Sequence, residues 1–89
     1  MGNFMGGSAF AMARDVAEGL ILVNATTFRK FTVAELKQLS FELDRVQKEA
    51  RADQPAPEDT QAIQKRGRKI SRITSAVQII NQAVLSKSR

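Results

Sequence analysis

The stretch that decides the fold is Gln61–Val84, QAIQKRGRKISRITSAVQIINQAV. Its first half is basic and its second half apolar, yet one rhythm runs through both. Ile63, Ile70, Ile73, Val77, Ile80 and Val84 recur, and from Ile70 on the steps are three, four, three and four. That is the packing edge of a helix paired with another helix. A second stretch, Leu36, Leu39, Leu43, Val46 and Ala50, carries the same rhythm. Between the two lies Asp53-Gln54-Pro55-Ala56-Pro57-Glu58-Asp59, where the prolines cannot continue a helix. Short connections make antiparallel neighbours. If the arms fold about the prolines, Ile63 meets Ala50, Ile70 meets Leu43, Ile73 meets Leu39, Val77 meets Leu36 and Ile80 meets Val33. Every layer is then apolar. The pattern predicts an all-α antiparallel hairpin with arms at about 33–52 and 59–85.

The first arm has a firm start. Thr32 and Glu35 stand in capping-box spacing, and Phe31 and Leu36 flank them as a hydrophobic staple. Glu58 and Asp59 suit the positive end of the second arm. Upstream, Phe10, Ala13, Val16, Ala17, Leu20 and Val23 fall near one face at helical steps, with Ser8 as N-cap and Asn24 as C-terminal cap. This predicts a helix over about 9–23 that includes Gly19. Phe28 and Phe31 pin the connection to the hairpin. Residues 1–7 are Gly-rich and read as a disordered tail, leaving 8–89 as a single helical domain.

The 89 residues contain no Cys and no His, so disulfides, thiolate chemistry and the commonest general base and metal ligand are absent. The carboxylates show no catalytic or metal-binding spacing. Asp15 and Glu18 read as ordinary surface, and the glycines follow no strand as a phosphate loop requires. The expectation is a protein that is not an enzyme, with no cofactor, metal or small-molecule substrate. Ala9-Phe10-Ala11 lacks the preceding cations of a signal peptide, and no apolar run is long enough to span a bilayer. A cytoplasmic location is expected, with no membrane partner, since the basic helix lacks an aromatic belt.

The formal charge is +5 and unevenly placed. Residues 55–89 carry seven basic and two acidic side chains, whereas residues 32–54 carry four and five. Lys65, Arg68, Lys69 and Arg72 share one helix face, with Arg66 near the seam, where it snorkels or pairs with Glu49. These five residues are the candidate nucleic-acid-binding set. Gly67 within the set invites a close approach of backbone or phosphate. Against this stands a solvated face neutralised by Glu35, Glu42 and Glu49, one heptad apart on the facing arm.

Off the seam, Ala76, Ile79 and Ala83 line a second apolar face, and Phe41 points nearly opposite to Leu39 and Leu43. These four are the candidate partner or oligomer interface. A hairpin with one short extra helix buries a small core, so completion as a bundle by homo-oligomerisation, a dimer first, is expected. The resulting function is a helical interaction or scaffold module, open to a protein partner, with an RNA- or DNA-binding hairpin as the alternative. The capped helix, loop and basic KRGRKISRI are similar, over about half the chain, to the small helical-hairpin protein of the large ribosomal subunit and to hairpin co-chaperones of secretion systems. That similarity lies in charge and heptads and carries over no functional residue.

Overall fold

The computed structural model of the chain describes Phe4 and residues 7–87. Their elements are α1 (Ala9–Glu18), a 3₁₀ turn (Thr27–Lys30), α2 (Val33–Ala52) and α3 (Thr60–Lys87), with no strand among the described residues. The tail expected over residues 1–7 lies mostly outside that range. Phe4, which is described, sets its ring edge-on to Phe31 at 5.6 Å between centroids.

Helix α2 begins where its capping residues dictate. The Glu35 N–H donates to Thr32 Oγ1 at 3.1 Å, and the Thr32 N–H donates to Glu35 Oε1 at 2.9 Å. Phe31 and Leu36 are both buried, as the staple requires. Asp59 caps α3 by accepting from the Ala62 N–H at 3.1 Å, so the helix proper starts at Thr60. Leu36, Leu39, Leu43, Ile73 and Ile80 are fully buried along the α2–α3 seam. Each contributes roughly 1.5–3 kcal/mol by leaving water.

The arms pair antiparallel, but slipped by about a turn from the expected register. In that register Gln47 faces Arg66. In the structure the Gln47 Nε2 amide donates to Thr74 Oγ1 at 2.9 Å, eight residues farther along α3. Both side chains lean toward their own helix N-terminus, and this covers only part of a gap of about 12 Å. The Arg66 guanidinium reaches Ala50, the position expected to face Ile63. Leu36, Leu43, Ile73 and Ile80 are all sealed from solvent along this seam. Ile63 overshoots the end of α2 and is left 43% exposed.

Helix α1 crosses the open side of the hairpin and buries Ala9, Met12, Ala13, Val16 and Ala17. Ala13, Val16 and Ala17 face inward as expected, and Ala9 and Met12 rather than Phe10 complete that face. Met12 points inward, while Phe10 sits at the rim with the Arg14 guanidinium 5.7 Å from its ring centroid. The alanines let α1 lie close to its neighbours. Phe28 and Phe31, 5.2 Å apart edge to face, plug the far end of the core.

The expected helix over 9–23 is shorter. It ends at Glu18, and Gly19 takes a left-handed conformation at φ 78°. The Leu20 N–H donates to Asp15 O at 2.9 Å and the Gly19 N–H to Val16 O at 3.1 Å, the paired bonds of a Schellman motif. The chain then bends at Leu20 and Ile21 and continues without regular structure to Asn24, with Leu20 and Leu22 outward and Ile21 and Val23 packed against the core. Asn24 does not cap α1. Its Oδ1 accepts from the Thr27 N–H at 3.0 Å and its N–H donates to Thr27 Oγ1 at 3.2 Å, which shapes the entry to the 3₁₀ turn.

Candidate interaction surfaces

The first four N–H and last four C=O groups of a helix have no partner within it. The basic residues of α3 meet that need at the ends of the earlier elements. At the end of α2, Glu49 O accepts from the Asp53 N–H at 3.1 Å. Arg66 then supplies two donors, Nε to Ala50 O at 3.0 Å and Nη2 to Arg51 O at 3.1 Å. At the end of α1, the Schellman bonds take Asp15 O and Val16 O, and Arg72 Nη1 donates to Ala17 O at 3.1 Å. At the end of the 3₁₀ turn, Lys87 Nζ donates to Arg29 O at 2.9 Å. A cation at a helix C-terminus also opposes the negative end of the dipole.

Residue 19 is glycine at a positive φ, and Arg72 lies close beside it. A Cβ there would stand 2.8 Å from the guanidinium carbon of Arg72. Beside it, Lys69 Nζ pairs with Glu18 Oε1 at 3.0 Å. Of the five sequence-predicted nucleic-acid residues, Arg66, Lys69 and Arg72 are therefore tied to α1 and α2. Lys65 and Arg68 stay exposed, with no hydrogen bond or ion pair among the described residues. The expected neutralisation by the α2 carboxylates also takes another form. Glu42 pairs with Arg45 on its own helix at 3.1 Å, and Glu35 closes the capping box. Glu49 does not pair with Arg66, and the carboxylate that reaches the strip is Glu18. Gly67 has open space where a Cβ would stand, so no close approach within the chain explains it.

The four expected interface residues part company. Ala76 is buried within the core. Ile79 and Ala83 are half-buried and pack against that core. Phe41 is 61% exposed, and its helical neighbours Lys37, Gln38, Asp44 and Arg45 are exposed polar residues. It is a solitary aromatic on a charged face, and single exposed apolar residues are ordinary.

A broader apolar surface lies elsewhere. A trough of about 580 Å³ runs between α3 and the 24–29 crossing, with Phe28, Ile79 and Ala83 in its walls. Ile79 also lines an adjoining hollow of about 200 Å³ that reaches Ile21, Leu22 and Val23. Leu22 is 87% exposed and Leu20, two residues before it, 73%. On the α3 side, Ser71, Ser75, Ala76, Ala83 and Ser86 keep the wall low. Sequence reasoning found Ile79 and Ala83 but missed Leu20, Leu22, Glu18 and Gly19. Two signals for them were present: a glycine ending an apolar-periodic run, and the in-out alternation of residues 20–23.

No three acidic side chains among the described residues converge to hold a metal ion, and no helix is long and apolar enough to cross a membrane. No family model, curated protein or solved structure matches the chain.

Proposed function

We propose that the chain is a non-enzymatic helical interaction module that works by helix-to-helix contact, through the trough beside Ile79. The observation that carries this is an apolar lining that runs from Leu22 through Ile79 to Ala83 and Ala25, on a domain whose other exposed large apolar residues are scattered. Apolar surface in a concave, low-walled site is where an amphipathic helix finds burial, with anchors at three- and four-residue steps. The nucleic-acid alternative has weaker support, because three of its five cations already serve α1 and α2.

The test uses a helical peptide with a leucine stripe and neutral glutamine flanks, titrated against the full chain. Binding that disappears in Leu22→Glu supports the proposal. Leu22 is so exposed that this change leaves the fold intact. No binding to wild type, or equal binding to Leu22→Glu, removes it. Self-association is one form of the same contact, and light scattering at tens of micromolar reports it. A monodisperse monomer there removes the dimer and leaves docking of a foreign helix.

A further inference from the structure

The trough has an electrostatic sign as well as a shape. No carboxylate lines it or the adjoining hollow. Its charged rim is basic throughout, with Arg29 and Lys87 at one end and Arg72 at the other. The remaining polar rim is neutral, made of Ser71, Ser75, Gln82, Ser86 and Asn24. The α3 wall extends from Ser71 to Lys87, about 24 Å at helical rise, which matches an occupant of four to five turns.

From this, and resting on the proposed function above, we infer that the trough seats an acidic amphipathic helix of another protein. Its apolar stripe lies against Leu22, Val23, Ile79 and Ala83, and its flanking carboxylates face Arg29 and Lys87 at one end and Arg72 at the other. The same charges disfavour a second copy. Pairing the α3 wall with itself, antiparallel about Ile79, brings the Arg72 end of one copy onto the Lys87 end of the other. Like charges set against each other suppress that arrangement, and complementary ones select the partner.

Three labelled peptides that share one leucine stripe, with flanks of Glu, Gln or Lys, are titrated against the full chain by fluorescence anisotropy. The Glu-flanked peptide is expected to bind about tenfold tighter than the Gln-flanked one, which in turn outbinds the Lys-flanked one. The differences should collapse near 1 M salt, where the screening length is about 3 Å. Arg29→Glu with Lys87→Glu should reverse the order. Because Lys87 also holds the Arg29 carbonyl, Arg29→Gln alone serves as a second variant and should narrow the gap between the Glu and Gln peptides. Equal affinities for all three peptides overturn the inference but leave the interaction module standing. No binding by any of them overturns both. A wild-type dimer that Leu22→Glu dissociates also overturns the inference and gives the trough to a second copy.

Discussion

Replacing Gly19 by alanine tests whether α1 is locked to α3 through Arg72. Two costs arise at once. Residue 19 sits at φ 78°, and a side chain in the left-handed region costs roughly 1–2 kcal/mol. The stiffer unfolded chain of alanine returns about 0.4–1 kcal/mol of that, leaving a net cost near 1 kcal/mol. The new Cβ also stands 2.8–3.1 Å from three atoms of the Arg72 guanidinium, which must withdraw. Withdrawal breaks its bond to Ala17 O. A bond from a charged donor contributes about 1.5–3 kcal/mol when buried, and about 1 kcal/mol for this exposed arginine. Gly19→Ala should therefore cost about 2 kcal/mol, and Arg72→Met alone about 1 kcal/mol. The double variant should cost about 2 rather than 3 kcal/mol, because the alanine has already displaced the guanidinium. Urea melts followed by helical circular dichroism measure all three, with a coupling energy near 1 kcal/mol expected. Additivity within about 0.3 kcal/mol, or a Gly19→Ala protein as stable as wild type, refutes the lock.

Other outcomes follow from the same contacts. Gly67→Ala should stabilise the chain by about 0.5–1 kcal/mol, a rise of several degrees in melting temperature, since the site is open and in a helix interior. Arg66→Met strips two carbonyls at the end of α2 and should cost about 1–2 kcal/mol in a urea melt. Thr32→Ala removes half of the capping box and should cost about 1 kcal/mol by the same measurement. Lys65→Gln with Arg68→Gln should change stability by less than about 0.5 kcal/mol. If the chain binds RNA or DNA, that pair should reduce the salt slope of binding, and an unchanged slope removes these two cations from any such interface.

The helices of the hairpin were legible because each of their signals is local. Thr32 and Glu35 are three residues apart, the heptad rows lie within single helices, and the prolines mark the bend. The register was not legible in the same way. Both arms repeat with one rhythm, so a slip of about a turn again matches apolar rows with apolar rows. What marks the observed pairing is the Gln47–Thr74 bond, which has no spacing signature. The end of α1 was misread because Gly19 was weighed as a weak helix residue rather than as a stop. With α1 extended to Asn24, Leu20 and Val23 fell on one helix face, and the hollow lined by Ile21, Leu22 and Val23 disappeared from view. The basic strip shows the limit most clearly. Its four residues on one face were evident from spacing, but the Ala17 carbonyl and the Glu18 carboxylate that engage Arg72 and Lys69 come from a helix far away in the chain. Ala17 and Arg72 meet across 55 positions.

The central claim is that the basic residues of α3 tie it to the earlier elements, that the apolar trough beside Ile79 meets the partner, and that Arg72 and Lys87 on its rim serve both. The most direct test is an amide chemical-shift map of the full chain titrated with the neutral-flanked helical peptide. The account predicts that shifts concentrate at Leu22, Val23, Ile79 and Ala83 and leave Phe41, Lys65 and Arg68 unmoved. Shifts centred on Phe41 or on the Lys65–Arg68 turn, with the trough silent, would contradict it.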